Sequence, residues 1–214
     1  MPSYKALSRN FVPVQKEVKP IKPKDYASFD VNLTNITGYI NGRIVRFDLK
    51  ELYHIHRIYE EKRKRIQKLS KTKPKTAKRL MQKYSKREKN RAKDLMHKIT
   101  TRIAEELASI KHGAILEDLR NIKGRILKGS KNMNRKLSKW NCRMFQFMLE
   151  YKLKWLGLPV KYVNPLNSSK TCSVCSGKLF AYRGRLVKCE NCGFIHDRDV
   201  VACLNLKMWG LGLP

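Results

Sequence analysis

ASFDVNLTNITGYINGRIVRF, residues 27–47, contains three short runs in which apolar and polar side chains alternate. Alternation with a period of two is typical of strands that bury one face, so the stretch predicts three strands. Asn41 and Gly42 separate the second run from the third, and this pair favours a hairpin because both turn positions need a positive φ. An extended basic lead-in over residues 1–26 is expected before the sheet begins at Ala27.

Helical and strand patterns alternate after this opening. They predict, in order, a helical hairpin over 48–111 broken near Pro74, a buried strand over 113–119, a strand over 159–163 and a helix over 198–209. Three leading strands followed by alternating helices and strands favour an α/β fold, a mixed sheet flanked by helices.

A further helix is predicted before the strand at 159–163, because apolar residues recur there every three to four positions. This spacing is typical of a helix face that packs into the core. The residues of the stripe are Leu137, Trp140, Met144, Phe147, Met148, Tyr151 and Trp155.

The net charge is +31, from 48 lysines and arginines against 17 acidic residues in 214. Such a charge favours a polyanionic partner, above all nucleic acid, with a cationic membrane binder as the alternative. No run of about 18 apolar residues is present, which argues against a membrane span, and residues 1–10 lack the apolar core of a secretion signal. We therefore expect no membrane partner and a place in the reducing, cytoplasmic interior of a cell.

Positive charge is concentrated in two places. Between Arg57 and Lys98 there are 18 basic and four acidic side chains, and residues 121–135 form a basic loop with glycine breaks. A charge run can simply mark a solvated face, but this excess favours contact with phosphates. The candidate nucleic-acid-binding residues are Lys62, Arg63, Arg65, Lys86, Arg87, Lys123, Arg125, Lys128 and Lys131.

Two CxxC pairs, Cys172/Cys175 and Cys189/Cys192, are separated by 13 residues. Each pair places two thiolates on one tight turn, and together they form the four-sulfur shell that structural Zn²⁺ favours. Two disulfides would need an oxidising compartment, and an iron–sulfur cluster could use the same ligands. His196 is expected to be a local hydrogen-bonding residue beside a complete shell. Cys142 and Cys203 fall in apolar helical patterns and are predicted to be buried thiols.

Acidic residues are few, and three of them stand in informative places: Asp30 within the first strand, Glu117 at the end of the buried strand, and Asp199 in the last helix. A carboxylate on a core strand is costly unless it is paired or binds a cation. If the three converge, they could hold Mg²⁺ or Mn²⁺ for phosphodiester chemistry. Alternatively, Asp30 could start a turn and Glu117 could pair with a basic residue. Asp197 fits the N-cap of the last helix, which favours Asp199 as the ligand.

The segments Ser169–Cys175, Cys189–Gly193 and His196–Asp199 resemble the C-terminal motifs of the TnpB-type (OrfB family) transposon-encoded RNA-guided nucleases, which are related to the type V CRISPR effectors. Residues 115–119 resemble the second acidic motif of that family, and residues 29–33 resemble the first without its usual glycine. The likeness extends over about residues 27–210.

This resemblance implies an RNase H-like (RuvC) nuclease domain over residues 27–163, a zinc ribbon over 164–195 and a C-terminal helix over 196–214. It also implies a catalytic Mg²⁺ triad of Asp30, Glu117 and Asp199, DNA as substrate and a guide RNA as partner. The resemblance further implies that the N-terminal half of the family is absent here. Val201 and Cys203 replace the Asn and Ala of the family motif, and Val201 is expected to lower activity.

Two functions follow as hypotheses. The first is a metal-dependent DNA endonuclease core, and the second is a non-catalytic DNA- or RNA-binding protein of the same family. A scaffold whose ribbon binds protein partners is a third. The sequence does not predict an oligomeric state.

Overall fold

The computed structural model describes residues 17–120 and 140–213, together with residues 129, 130, 133, 134 and 137. Its first sheet has five strands in the order β3-β2-β1-β4-β5. The strands are β1 Asp25–Val31, β2 Asn35–Ile40, β3 Arg43–Asp48, β4 His112–Glu117 and β5 Val160–Val163. β1 to β3 pair antiparallel, whereas β4 pairs parallel with β1 and with β5, so the predicted mixed sheet is confirmed.

In the described part of the chain, the helices with defined bounds are α1 Lys50–Leu69, α2 Pro74–Ser109, α3 Cys142–Trp155 and α4 Arg198–Leu211. Pro74 starts α2 at a position where its missing N–H costs nothing, as the break in the predicted hairpin requires. Among the described residues, no helix is both long and apolar enough to cross a membrane.

The two faces of the sheet are covered by different helices, and the period of the strands sorts their side chains between them. Phe29 and Leu116 face α2 and α3 in the main core, where the Phe29 ring contacts Phe145 at a centroid distance of 6.0 Å. The residues next to them in each strand point to the other face, toward α4. Ser28 shows this, because its hydroxyl donates to the carbonyl of Cys203 in α4 at 2.6 Å. A three-layer arrangement results, with α4 over the surface formed by β1, β2, β4 and β5.

The apolar stripe predicted for α3 is only partly a core face. Phe147, Tyr151 and Trp155 are 68%, 40% and 44% exposed, so their assignment to the core was wrong. The buried side of the helix carries Phe145 and Leu149 instead, together with Met148 and Leu153. The prediction failed because two overlapping rows of apolar residues run along this helix, and spacing alone does not say which one faces the sheet.

A second sheet lies between β5 and α4 in the chain and has three antiparallel strands, β6 Leu179–Arg183, β7 Leu186–Cys189 and β8 Ile195–Asp197. β8 runs directly into α4, which begins at Arg198. This small sheet therefore lies at the N-terminal end of α4.

Candidate functional site

The four cysteines of the two CxxC pairs converge in the second sheet. Their sulfur atoms all lie within 4.8 Å of one another, with Cys172 Sγ to Cys192 Sγ at 3.7 Å and Cys175 Sγ to Cys189 Sγ at 3.5 Å. Tetrahedral Zn²⁺ with Zn–S bonds of about 2.3 Å requires sulfurs about 3.8 Å apart, so the donor set fits zinc. Backbone N–H groups, first that of Cys192, lower the pKa of Cys189 to about 7, whereas hydrogen bonds with the other cysteines outweigh the Gly177 N–H and raise the pKa of Cys175 to about 12.

The zinc-binding cluster is packed against α4 by a small apolar core. Val201 is fully buried there with Cys172, Cys189, Leu179 and Val187. Val201 thus joins α4 to the second sheet through apolar packing. The Asn205 amide adds to this junction by donating to the carbonyls of Ser168 and Thr171 at 2.7 and 2.8 Å.

Cys142, Cys203 and His196 have the roles that the sequence predicted. Both cysteines are fully buried, and Cys203 Sγ contacts the Thr37 carbonyl at 3.2 Å. His196 lies outside the four-sulfur cluster and accepts a hydrogen bond from the Asp197 N–H at 2.9 Å.

Asp30 and Glu117 stand side by side on neighbouring parallel strands. Phe29 pairs with Leu116 in the register of β1 and β4, so the next position on each strand carries the carboxylate. Both alternate with core residues and therefore point toward α4. The carboxyl ends of two parallel strands thus bring together acids that are 87 positions apart in the sequence.

Asp199 reaches the same region from the first turn of α4. Asp197 is the N-cap of the helix, because its side chain accepts from the Asp199 N–H at 2.9 Å. Asp199 is itself buried and faces the sheet, whereas Asp197 pairs with Arg46 at 2.9 Å. This division between the two acids is the one that helical spacing predicted.

The three carboxylates influence one another. Burial, and then the charge of Asp199, raises the pKa of Asp30 to about 6. Burial, and then the charge of Asp30, raises the pKa of Glu117 to about 8. Burial combined with like charges disfavours ionisation, and a bound cation relieves both effects. Carboxylates are the donors that Mg²⁺ and Mn²⁺ take, so the donor set fits these ions.

Arg185 is a further residue of this site, and no pattern in the sequence indicated it. It lies at the end of the β6–β7 turn of the ribbon, and its guanidinium pairs with the buried carboxylate of Asp199. Asn32 donates to Asp30 Oδ2 at 2.8 Å on the other side. In the described part of the chain only the four cysteines have ligand atoms all within 4.8 Å of one another, so the three carboxylates are less closely gathered.

Two side chains, one just before α3 and one inside it, hold the ends of the strands that carry Asp30 and Glu117. The indole N–H of Trp140 donates to the Val31 carbonyl at 3.0 Å, and the buried amide of Gln146 donates to the Glu117 carbonyl at 2.7 Å. Each bond satisfies a backbone oxygen where strand pairing ends. The spacing of the two carboxylates is therefore supported from the opposite face of the sheet.

The candidate nucleic-acid residues of the hairpin fall into two groups. Arg65, Lys86 and Arg87 are exposed. Lys62 and Arg63 are partly buried and have partners within the hairpin. The Lys62 ammonium lies 5.0 and 5.1 Å from the ring centroids of Tyr59 and Tyr84, and Arg63 pairs with buried Glu88. Lys123, Arg125, Lys128 and Lys131 lie outside the described residues.

We predict that the thermal stability of the protein without added divalent cation falls as the pH rises from 6 to 8.5. Asp30 and Glu117 have folded-state pKa values above their ordinary ones, so the folded state binds more protons than the unfolded chain in this window. Deprotonation with rising pH therefore removes stability. Thermal unfolding of the protein and of Asp30→Asn at both pH values measures it.

The Asp30→Asn variant should show a smaller fall, because the amide does not ionise. Added Mg²⁺ should raise the unfolding temperature more at pH 8.5 than at pH 6. An equal pH dependence in both proteins would contradict the prediction.

A mixed five-strand sheet with flanking helices, a ribbon before the last helix and a four-cysteine zinc-binding cluster define a RuvC-like fold. A family model described as "Probable transposase" matches residues 11–120, and one described as "Cas12f1-like, TNB domain" matches residues 143–206. TnpB-like protein MJ0751 of Methanocaldococcus jannaschii is 42% identical over 201 residues, which cover 91% of this chain and 72% of that protein. The chain belongs to the TnpB-like family.

The likeness extends to Cas12f proteins. CRISPR-associated endodeoxyribonuclease Cas12f1 of an uncultured archaeon is 39% identical over 77 residues, 32% of this chain and 14% of that protein. The cryo-EM structure of a Cas12f1–sgRNA–target DNA complex has the same fold with a TM-score of 0.63, at 24% identity. The match covers 89% of this chain and 51% of the Cas12f1 chain, so this chain spans about half of it.

Proposed function

We propose that this protein is the metal-dependent endonuclease core of a TnpB-like protein and hydrolyses phosphodiester bonds of DNA. The observation that carries the proposal is the placement of Asp30 and Glu117 at the ends of paired parallel strands, with Asp199 facing them from α4. Glu117 and Asp199 are buried and Asp30 is partly buried, and carboxylates in such positions are a cost to folding unless they are paired or bind a cation. Membership of a family related to Cas12f endodeoxyribonucleases supports the same reading.

Asp30, Glu117 and Asp199 would hold Mg²⁺ or Mn²⁺. When bound, a pair of such ions supplies an activated water and stabilises the leaving oxygen of an in-line displacement. The protein holds the strand ends that carry Asp30 and Glu117 in place through Trp140 and Gln146. Arg185 places a guanidinium at the same site, where it can bind a phosphate oxygen of the substrate once Asp199 has turned to a cation.

The exposed cations of the hairpin are suited to follow the phosphates of a nucleic acid toward this site. A guide RNA is a proposed partner, because the similar Cas12f1 structure is a complex with sgRNA and target DNA. Zinc is proposed to be structural, since a shell of four sulfurs leaves no open position for substrate.

A non-catalytic nucleic-acid-binding role is the second candidate. It is favoured by the ion pair between Arg185 and Asp199, which neutralises one of the three carboxylates without a metal. Under this alternative the charged surface would bind DNA or RNA, and divalent cations would have no effect beyond screening.

The deciding experiment is incubation of the purified chain with end-labelled single-stranded DNA in Mg²⁺, Mn²⁺ or Ca²⁺. Cleavage that requires Mg²⁺ or Mn²⁺ supports the nuclease. Tight binding with a steep salt dependence and no cleavage in any cation would favour the second candidate. Sequencing of RNA that copurifies with the protein tests the guide RNA separately.

We predict that the triple variant Arg65→Gln, Lys86→Gln, Arg87→Gln binds single-stranded DNA more weakly. Loss of three phosphate contacts should reduce the slope of log K against log salt by about 2. Fluorescence anisotropy at several salt concentrations measures both quantities.

The control is Lys22→Gln, Lys24→Gln, Lys111→Gln, which removes the same charge from exposed positions at the opposite end of β1 and β4. If this control loses as much slope as the hairpin variant, the hairpin is not the binding track. Arg63→Gln should instead lower thermal stability, because it leaves buried Glu88 without that partner.

A further inference from the structure

A cavity of about 440 Å³ opens at the edge of the sheet where β1 ends, just beyond Asp30. Its lining includes Asn32, Tyr53, Trp140 and Arg185. Asn32 bonds Asp30 and Arg185 bonds Asp199, so the cavity shares two walls with the proposed metal site. A volume of this size lies in the range of small-molecule pockets.

The two aromatic walls come from different elements and are held differently. Trp140 precedes α3, and its indole N–H is tied to the Val31 carbonyl, which orients the ring. Tyr53 stands in the first turn of α1 and is 40% exposed. Leu33 and Leu137 complete the apolar lining. The cavity thus offers aromatic faces with a guanidinium at one end.

We propose that this cavity binds an unpaired nucleobase of the nucleic-acid strand whose phosphate lies at the carboxylate site. Aromatic side chains beside a cation are the elements that bind single strands, because every base has a face that stacks. Arg185 spans both places, so the phosphate and the base next to it would be bound by one continuous surface. A base in a duplex is stacked and paired, so the cavity selects an unpaired strand.

Charge supports a nucleic acid as the occupant over an apolar protein segment. The cavity lies between the arginine of the ribbon and the start of the basic hairpin, in a protein of net charge +31. The other aromatic surface, which includes Tyr151 and Trp155, has Glu105 and Lys152 in its groove and includes neither Asn32 nor Arg185. The structure therefore distinguishes two aromatic surfaces, and only the one at β1 adjoins the site of chemistry.

The location of the phosphate in this proposal rests on the proposed function. The test therefore measures the affinity for a single strand, and cleavage is not needed. The probe is a labelled 12-residue thymidine oligonucleotide, bound to the Asp30→Ala chain so that no cutting occurs. Tyr53→Leu in that background should weaken binding about 5- to 50-fold with an unchanged salt slope, because stacking is lost and phosphate contacts are kept. Tyr53→Phe keeps the ring and should bind within about twofold of its parent.

Tyr151→Leu is the matched control, since Tyr151 is equally exposed but lies on the distant aromatic surface. It should leave binding unchanged. A 12-residue abasic strand should bind the parent more weakly than the thymidine strand, and Tyr53→Leu should lose this preference.

Equal binding of both strands by the parent, or an equal effect of the Tyr53 and Tyr151 changes, would overturn the base site. Failure of the proposed nuclease would show elsewhere, as an absence of Mg²⁺-dependent cleavage by the protein with Asp30 intact. The two outcomes are therefore separable.

Discussion

Replacement of Asp30 by alanine is expected to lower Mg²⁺-dependent cleavage of single-stranded DNA at least about 10³-fold, a loss of about 4 kcal/mol in transition-state stabilisation. Asp30 interacts with both of the other acids. The charge of Asp199 raises the pKa of Asp30, and the charge of Asp30 raises the pKa of Glu117. Without the Asp30 carboxylate, Glu117 and Asp199 lack the third ligand that a pair of cations would need at this site. Single-turnover cleavage rates of both proteins measure the effect.

Asp94→Ala is the control, because this acid is exposed in the middle of α2 and pairs only with Lys98 among the contacts described for it. Its cleavage rate should remain within about twofold. Loss of activity in Asp30→Ala should not reflect unfolding, since the change removes a buried acid whose ionisation is unfavourable. Its unfolding temperature at pH 8.5 without added cation should equal or exceed that of the parent. Equal cleavage by the two proteins would refute the assignment of Asp30.

The second large effect is expected from the double variant Cys172→Ser, Cys189→Ser, which removes one thiolate from each CxxC turn. Zinc should fall from about one ion per chain to near zero, because two remaining sulfurs do not make a stable tetrahedral site. Without zinc, the second sheet would no longer pack in a fixed position against Val201 of α4. Arg185, which belongs to that sheet's β6–β7 turn, would then no longer be held against Asp199. Elemental analysis, thermal unfolding and the cleavage assay follow the three consequences.

Cys142→Ala is the matched control. Cys142 is a buried thiol in α3, outside the four-sulfur cluster, so its removal should leave one zinc per chain. Elemental analysis also decides between zinc and an iron–sulfur cluster, which the same four ligands could hold. Retention of a full zinc ion by the double variant would contradict the assigned ligands.

The sequence predicted the elements around the candidate site because each depends on a local pattern. Alternation placed Asp30 within a strand, and the N-cap geometry of Asp197 separated it from Asp199. The spacing within each CxxC pair predicted the zinc-binding cluster, since two thiolates on one turn face the same ion. The roles of the three acids stay a proposal, although their placement is the one that the proposal needs.

Long-range packing decided what local patterns could not. Arg185 is one of 48 basic residues, and nothing in its neighbourhood in the sequence distinguishes it from the others. The burial of Phe145 instead of Phe147 depends on how α3 meets α2 and the sheet. Trp140 and Gln146 donate to the carbonyls of Val31 and Glu117, which lie 109 and 29 positions away in the sequence. No local pattern predicts such pairs.

The sequence by itself therefore determined the strands, the main helices, the zinc-binding cysteines and the positions of the few acids on those elements, because periodicity and spacing are local properties. Only the tertiary structure decided which cation faces Asp199, which aromatic rings line the cavity at the end of β1, and how close the three carboxylates lie. These contacts join segments that meet only when the ribbon packs on α4 and α3 packs on the sheet, and no short pattern encodes that meeting.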